Sequence, residues 1–268
     1  MNVALRLRHF GVDVRFLSRV GKDMDGEHLL DFMRFESLDT QYVQTDVEHP
    51  TGTVIVDTTD PSEVRYTIAE DVAWDHIDVK AFRRQLDNDP DVVVYGSLAA
   101  RHPVSRKSLL SLLDDAKLRV FDVNLRPPFN DPAILQLLLE KADWVKVNEH
   151  ELAYLMKKDF QDGGVESMAT NLRDRFQLDI VCVTMGADGA VLLAGDGVYR
   201  QPAFAVEVVD TVGCGDAFLG SWVAAMLDEQ APQQALARAA AVAAIVAGSE
   251  GANPSFSDAD ITALVDSR

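Results

Sequence analysis

Runs of β-forming hydrophobic residues alternate with helical hydrophobic patterns through the middle of the chain. Strands are predicted over residues 91–97, 118–124, 144–148 and 179–184, and helices over 104–116, 132–142, 149–157 and 165–176. Strands that alternate with helices of this length form βαβ units, in which the strands are parallel. The pattern therefore predicts an α/β protein whose parallel sheet is covered by helices on both faces.

A pair of β-rich segments early in the chain breaks this alternation. Residues 51–57 and 64–69 are separated by the turn-like sequence 58–62, with no helix between them. Such a pair predicts an antiparallel hairpin. Because an isolated hairpin is marginally stable, we expect this one to pack over another part of the protein or to pair with a partner chain.

The last third of the chain contains a second departure from the alternation. Residues 189–204 are predicted to form another hairpin, with its turn at the Gly-Asp-Gly sequence 195–197. A β-type run over 205–210 follows, and then three helical segments rich in alanine.

The composition sets the size and the class of the protein. Its 268 residues are 47% hydrophobic and 25% charged, which suits one large domain, or a large domain with a small appendage. The longest apolar stretch, 235–248, contains Arg238 and is too short to span a bilayer. The first residues lack the continuous apolar region of a signal peptide, so we expect a cytoplasmic protein that does not bind membranes.

The charge and the metal-ligand residues exclude several kinds of partner. A formal net charge of −18 argues against non-specific binding to nucleic acid, which needs Lys and Arg at the phosphates. Two cysteines make neither a disulfide framework nor a zinc site, and the six histidines have no metal-binding spacing. A nucleotide can still bind, because the backbone amides of one loop can hold a phosphate.

The segment VVDTVGCGDAFLGS, residues 208–221, is the most informative part of the sequence. A β-type run ends at Asp210, a loop of small residues follows, and an apolar helix is predicted to begin near Gly215 or Asp216. Amides at a helix N-terminus bind anions, and an Asp at the same point can act as a general base. A simpler interpretation is that Asp216 caps the helix and the glycines form a tight turn.

The same segment resembles the second signature, D-T-x-G-x-G-D, of the ribokinase-like (PfkB) family of sugar kinases. The resemblance implies that Asp216 is the base that deprotonates the sugar hydroxyl. It also implies that the amides of Gly213, Cys214 and Gly215 form an anion hole. Cys214 stands where the family usually has Ala, but its amide is retained.

The N-terminal region resembles the first signature of that family. Asn2, Ala4, Gly11 and Gly21 fall at the spacings of its second half, and residues 21–26 resemble the G-x-D-x-x-G stretch that follows. The resemblance implies that Asn2 contacts the sugar. Relatives usually have a strand, a sugar-contacting acidic residue and a Gly-Gly pair before this Asn. We therefore expect the first strand or two, and part of the sugar pocket, to be absent.

Two further motifs resemble the nucleotide side of the family. Asn148 and Glu151 match its N-x-x-E motif, in which the Glu organises Mg²⁺ through water and the Asn lies near the triphosphate. An Asn that caps a helix with an acidic first turn explains the same residues equally well. A later loop resembles the one that approaches the phosphates or the ribose of ATP, through Thr184, Gly186 and Gly189.

A cation site is implied beside the anion hole. The loop from Gly251 to Ser255 resembles the family's loop for a monovalent cation such as K⁺, with Asp210 and Val212 opposite. Most ligands of such a site would be backbone carbonyl groups.

The string D-x-N-x-R-P at residues 122–127 ends a predicted strand at the carboxyl edge of the sheet, where ligands of α/β proteins collect. It resembles the fructokinase branch of the family more than ribokinase proper. Asn124 would then contact the sugar, and Arg126 would reach a phosphate or the sugar. A salt-bridged Asp–Arg turn is the alternative explanation.

The family resemblance implies a ribokinase-like three-layer α/β/α fold with a mostly parallel sheet and a small β lid. The lid would be residues 41–69, and the kinase domain residues 1–40 and 70–268. ATP, Mg²⁺ and a small-molecule sugar would be the ligands, and the lid would pair two subunits into a homodimer.

Other functions fit the sequence less well or stay open. A P-loop kinase is disfavoured because G-x-x-x-x-G-K-[ST] does not occur, and a dinucleotide oxidoreductase because no G-x-G-x-x-G opens a first βα turn. A non-catalytic nucleotide- or sugar-binding relative of sugar kinases is the rival from another class. The acceptor could be fructose, another ketose, a sugar acid or a nucleoside.

Overall fold

The computed structural model describes residues 1–57, 65–83, 89–157 and 164–267. The α-helices are α1 (Asn2–His9), α2 (Met24–Phe35), α3 (Val79–Arg83), α4 (Pro103–Asp115), α5 (Pro132–Lys141), α6 (Glu149–Met156), α7 (Gly164–Phe176), α8 (Cys214–Leu227), α9 (Pro232–Ala247) and α10 (Asp258–Asp266). The strands are β1 (Ser18–Gly21), β2 (Val43–Asp46), β3 (Val54–Asp57), β4 (Arg65–Ile68), β5 (Val92–Gly96), β6 (Leu118–Asp122), β7 (Trp144–Asn148), β8 (Ile180–Thr184), β9 (Ala190–Ala194) and β10 (Gly197–Gln201). Short 3₁₀-helices cover Ala73–His76, Ser97–Ala100 and Gly186–Asp188.

The chain divides into two compact units. The first contains residues 1–14, 94–97 and 118–268, and the second contains residues 15–93 and 98–117. The segment expected to form the lid, 41–69, belongs to the second unit. Its action as a lid stays a prediction.

The first unit is built on a sheet with the strand order β10-β9-β8-β7-β6-β5. Strands β6, β7 and β8 are parallel neighbours, whereas β9 and β10 are the antiparallel hairpin expected over 189–204. The expected α/β class, with a mostly parallel sheet and helices on both sides, is confirmed.

Valine side chains dominate the parallel strands. Val120, Val145, Val147, Val181 and Val183 expose none of their surface. Full burial of such a side chain stabilises the fold by about 1.5–3 kcal/mol. A sheet buried on both faces produces continuous apolar runs, and for this reason the sequence located these strands to within a residue or two.

The three alanine-rich helices predicted for the end of the chain are confirmed as α8, α9 and α10. Helix α8 is buried on all sides over residues 217–225 and packs against both α1 and α9. Gly220 allows the close approach of α1, because a Cβ atom there would lie 2.7 Å from Cβ of Arg6. This packing fixes the position of α1, which carries Asn2, relative to α8.

The second unit contains two small sheets. Strands β1 and β2 are parallel, and β3 and β4 form the predicted antiparallel hairpin, with Val54 opposite Ile68. The turn expected at 58–62 lies outside the described residues. Asp23 accepts hydrogen bonds from the Thr51 hydroxyl at 2.6 Å and from the Gly26 amide at 2.8 Å. The residues of the G-x-D-x-x-G stretch thus tie the start of α2 to the chain entering the hairpin.

The β-type run predicted over 205–210 is wrong, because this segment pairs with no strand among the residues that the structure describes. The amides of Val209 and Asp210 instead donate to the carbonyl oxygen of Ala247, at 2.8 and 3.2 Å, at the end of α9. The hydrogen-bond acceptor for these two amides is thus a carbonyl group of a helix and not one of a neighbouring strand. Helix α8 then begins at Cys214, one residue before Gly215 and two before Asp216, the two expected starts.

Among the described helices, none combines the length and the apolar character that crossing a membrane requires.

Candidate active site

Asp216 lies in the first turn of α8, where the sequence placed it, and is half-buried. Nδ2 of Asn2 donates a hydrogen bond to Oδ2 of Asp216 at 2.9 Å. Oδ1 of Asn2 accepts from Nδ2 of Asn253 at 3.0 Å. Asn2 therefore connects the expected base to the loop expected to bind a cation, a contact that sequence patterns could not reveal.

The turn before α8 depends on Gly213. This residue has a φ of +83°, and a Cβ atom on it would lie 2.5 Å from Cβ of Ala252. No side chain among the described residues caps this end of α8. The first amides of a helix have no partner inside the helix, and amides at such a position can bind an anion.

Cys214, the second residue of the expected anion hole, takes part in the same turn. Its amide donates to the carbonyl oxygen of Thr211 over a long distance, 3.3 Å, and its thiol lies 3.8 Å from the carbonyl oxygen of Asp210. Burial, followed by the nearby Asp210 carboxylate, raises the pKa of the Cys214 thiol. Both effects disfavour the thiolate, which is the reactive form of cysteine.

Gly213→Ala is expected to destabilise the protein by about 1–3 kcal/mol and to lower kcat, because it adds both a strained φ and a clash with Ala252. Thermal and chemical unfolding measure the first effect and ADP release the second. Gly11→Ala is the matched control, since Gly11 has a φ of +80° and no atom within 4 Å of an added Cβ. Equal losses in the two variants would contradict the proposed tight contact with Ala252.

A buried ion pair lies beneath this turn. Nζ of Lys146 on β7 is 3.0 Å from Oδ1 of Asp122 on β6, and their side chains are 8% and 7% exposed. The same Nζ would lie 3.4 Å from a Cβ atom on Gly215. The pair was missed in the sequence, although a lysine between two valines of a buried strand, next to a strand ending in Asp, was a usable signal.

Three carboxylates act on the Lys146 ammonium group. Burial opposes its charged form, but Asp122, Glu151 and Asp216 together raise the pKa of Lys146 above its ordinary value. Burial likewise raises the pKa of Asp122, against the opposing effect of Lys146. The expected base Asp216 and the expected magnesium ligand Glu151 thus both favour the charged form of Lys146.

Asn148 and Glu151 form a reciprocal cap at the start of α6. Oδ1 of Asn148 accepts from the Glu151 amide at 2.8 Å, and Oε2 of Glu151 accepts from the Asn148 amide at 2.9 Å. The capping expected for Asn148 is thus confirmed. Oε1 of Glu151 also accepts from the Leu125 amide at 2.9 Å, so this buried carboxylate is rigidly held at the ends of β6 and β7.

The residues of the expected nucleotide side meet at one edge of the sheet. Asn148 and Thr184 are register partners at the carboxyl ends of β7 and β8. Gly186 and Gly189 have φ values of +53° and +96°, and a Cβ atom on Gly189 would lie 2.0 Å from the carbonyl oxygen of Gln201. The turn can therefore form only with glycine at position 189.

Asn124 and Arg126 follow β6 at the same edge of the sheet. Asn124 has a φ of +39°, and its carbonyl oxygen accepts from the Ser97 hydroxyl at 3.4 Å. The alternative of a salt-bridged Asp–Arg turn is wrong, because Asp122 pairs with Lys146 while Arg126 is exposed and donates to the Leu125 carbonyl at 3.0 Å. The Arg126 guanidinium is thus available to a ligand.

The two loops expected to bind a monovalent cation lie close together, since Gly213 contacts Ala252. Oδ1 of Asp210 accepts from the Val212 amide at 2.9 Å. Gly251 has a φ of +75°, and both Gly251 and Ser255 are exposed. The side chain of Asp210 and the carbonyl groups of both loops could contribute ligands.

Comparison with known proteins identifies the family and the fold. The sequence matches the pfkB family of carbohydrate kinases over residues 1–259. A fructokinase of Klebsiella pneumoniae is 29% identical over 251 residues, which are 89% of this chain and 79% of the relative. A fructokinase from Vibrio cholerae O395, solved with fructose, ADP and calcium ion, has a TM-score of 0.85 at 23% identity, covering 98% of this chain and 89% of that one. An aminoimidazole riboside kinase from Salmonella enterica has a TM-score of 0.82 at 22% identity, covering 98% and 90%.

The family match indicates a phosphotransferase that acts on carbohydrates. Because the family match spans nearly the whole chain, the protein belongs to the pfkB family of carbohydrate kinases. This membership and the fructokinase relatives make it an ATP-dependent sugar kinase.

Proposed function

We propose that the protein transfers the γ-phosphoryl group of ATP to a hydroxyl group of fructose or a related ketose, with Asp216 as the general base. The observation that carries the proposal is the position of the Asp216 carboxylate, in the first turn of α8 and hydrogen-bonded to Asn2. A carboxylate at a helix N-terminus stands beside amides that can hold the transferring phosphoryl group.

The chemistry needs little more than positioning and charge. Oδ2 of Asp216 already accepts the Asn2 amide, so Oδ1 would take the proton of the sugar hydroxyl. The hydroxyl oxygen then bonds to the γ-phosphorus while the bond from that phosphorus to the oxygen of ADP breaks. Amides from Gly213 to Gly215 would stabilise the negative charge on the phosphoryl oxygens, assisted by the Lys146 ammonium group.

Glu151 is a suitable second-sphere ligand for Mg²⁺, an ion that keeps several of its waters. Each carboxylate oxygen of Glu151 accepts one backbone amide and retains a lone pair for a metal-bound water. When bound, Mg²⁺ supplies positive charge to the phosphates. The loops containing Asp210, Val212, Gly251 and Ser255 would hold K⁺.

The substrate assignment rests on two observations. The D-x-N-x-R-P string leaves Arg126 exposed beside Asn124, and the relatives include fructokinases. A structural neighbour named as an aminoimidazole riboside kinase favours a nucleoside as the second candidate. A sugar acid is a further alternative within the same class.

Coupled measurement of ADP release with ATP·Mg²⁺ tests the proposal. The panel is fructose, two other ketoses, an aldose, a sugar acid and a nucleoside, each over a range of concentrations. The proposal requires the highest kcat/KM with fructose or another ketose. A higher value with the nucleoside or the sugar acid would overturn the ketose assignment, and ATP binding without any turnover would favour a non-catalytic relative.

The β3–β4 hairpin supports the proposal of a lid that also pairs two subunits. It is a separate two-stranded sheet, and its Val54 and Ile55 side chains are 54% and 65% exposed. Exposed apolar side chains on a small sheet favour a second surface that covers them. Light scattering tests the dimer, since one chain has a mass of 29.4 kDa. We also propose a cytoplasmic location for the protein.

A further inference from the structure

Three of the six histidines lie together in the second unit, whereas Asp216, Lys146 and Glu151 belong to the first. His49 follows β2, His76 ends a 3₁₀-helix and His102 precedes α4. The rings of His49 and His76 are stacked with their centroids 3.6 Å apart, and the ring of His102 is 4.5 Å from that of His76. Asp71 completes the cluster, with Oδ1 2.8 Å from Nε2 of His76 and 3.8 Å from Nε2 of His49.

A second carboxylate fixes the orientation of His49. Nδ1 of His49 lies 3.0 Å from Oδ2 of Asp46, whose side chain is 1% exposed. Arg19 and the amides of Glu48 and His49 also bind this carboxylate, at 2.7, 2.8 and 3.1 Å. The contact with Asp46 holds the His49 ring with its other nitrogen, Nε2, facing Asp71, 3.8 Å from Oδ1. Metal-binding histidines are oriented by carboxylates in the same way.

We infer that Nε2 of His49, Nε2 of His76 and Oδ1 of Asp71 form a binding site for a transition-metal dication such as Zn²⁺ or Co²⁺. These three atoms all lie within 4.8 Å of one another. Such ions bind histidine nitrogen and carboxylate oxygen at about 2.0–2.2 Å, so two ligands of one ion are roughly 3–4 Å apart. Two nitrogens, one oxygen and a water complete a tetrahedral set.

Binding requires small changes that the site can make. The lone pair of each Nε2 lies in the plane of its ring, and the planes of the stacked His49 and His76 rings are nearly parallel. One ring must therefore tilt for both nitrogens to bind the same ion. The Asp71 side chain is 74% exposed and can rotate to admit the ion between itself and His76. His49, at 22%, and His76, at 18%, remain accessible to solvent, which gives the ion a route of entry.

The site would close the base of the β3–β4 hairpin. His49 precedes β3, whereas Asp71 and His76 follow β4, so an ion bound to all three would join the two ends of the hairpin segment. Such a cross-link restricts the motion of the segment, because it fixes the separation of its ends. Metal binding at this site requires neither a particular sugar substrate nor kinase activity.

Calorimetric titration of the metal-free chain with Zn²⁺, in excess Mg²⁺ and without nucleotide, tests the site. Mg²⁺ occupies oxygen-only sites such as the one near Glu151. One ion per chain is expected, and Asp71→Asn or His76→Gln should weaken binding by at least about tenfold. Asn tolerates the φ of +54° at position 71, and Asp71 is exposed, so this variant keeps the fold.

His150→Gln is the matched control, because His150 is 85% exposed and lies outside the cluster. Co²⁺ absorption is the second readout, since ligation by Cys214 would add a thiolate charge-transfer band that this site lacks. Absence of binding would overturn the inference. Equal affinity in the wild type, Asp71→Asn and His76→Gln, or a thiolate band, would also overturn it.

Discussion

Asp216→Asn is expected to lower kcat by about 10²–10⁴-fold while the affinity for ATP stays within a few-fold of the wild type. The substitution keeps the size of the side chain and an oxygen that can accept the Asn2 amide, so the start of α8 should be unchanged. It removes the group that takes up the hydroxyl proton. Steady-state ADP release gives kcat, and calorimetry gives the dissociation constant of the nucleotide.

Asp228→Asn provides the matched control on the same helix. Asp228 is exposed at the C-terminal end of α8, and the same change of charge there should leave kcat unaltered. The base assignment would be refuted by an Asp216→Asn enzyme that keeps more than about a tenth of the wild-type kcat. A parallel loss in Asp228→Asn would point to charge rather than proton transfer.

Lys146→Met is expected to reduce the free energy of unfolding by about 3–5 kcal/mol, because it leaves the buried Asp122 carboxylate without its partner. The loss should be larger at about pH 8 than at about pH 5. Burial raises the folded-state pKa of Asp122 above its unfolded value of about 3.9, and Lys146→Met removes the interaction that opposes this rise. A raised folded-state pKa stabilises the protein at low pH, and that stability disappears as the pH rises. Denaturant unfolding at the two pH values measures the effect.

Two further variants separate stability from catalysis. Lys117→Met removes an equivalent pair with Asp91 whose side chains are 75% and 81% exposed, and little change is expected there. The double variant Lys146→Met/Asp122→Leu should recover most of the stability, since apolar residues can replace a buried ion pair. It should still have a low kcat if the ammonium group assists the anion hole. Full recovery of both quantities would restrict Lys146 to a structural role.

Much of the fold was predictable because local patterns and tertiary packing agree. Strands β6 to β8 are continuous apolar runs, and Asn148 carries an N-cap signal that the structure uses. The segment 205–210 has the composition of a strand, but its amides find a helix carbonyl at Ala247. The composition of a segment indicates which secondary structure it prefers, but it does not determine which group accepts its hydrogen bonds.

The site was predictable where function imposes a continuous motif. Asp216 and its glycines lie within one short segment, so the resemblance to a family signature could single them out as candidates. Lys146 was missed because its meaning depends on Asp122, which a neighbouring strand supplies. The histidine cluster was missed for the same reason, since His49 and His76 come from separate segments that only the fold brings together.

The pairing of Asp122 with Lys146 also determines which residues of β6 and β7 stand side by side. The valines around them are nearly interchangeable, so hydrophobic packing alone would tolerate a shifted alignment of the two strands. A shift would separate the charges and bury each without its partner, which costs several kcal/mol. The one lysine of β7 therefore fixes the alignment of β6 and β7. It disfavours shifted pairings in which the Leu125 amide, after β6, could no longer reach Glu151, after β7.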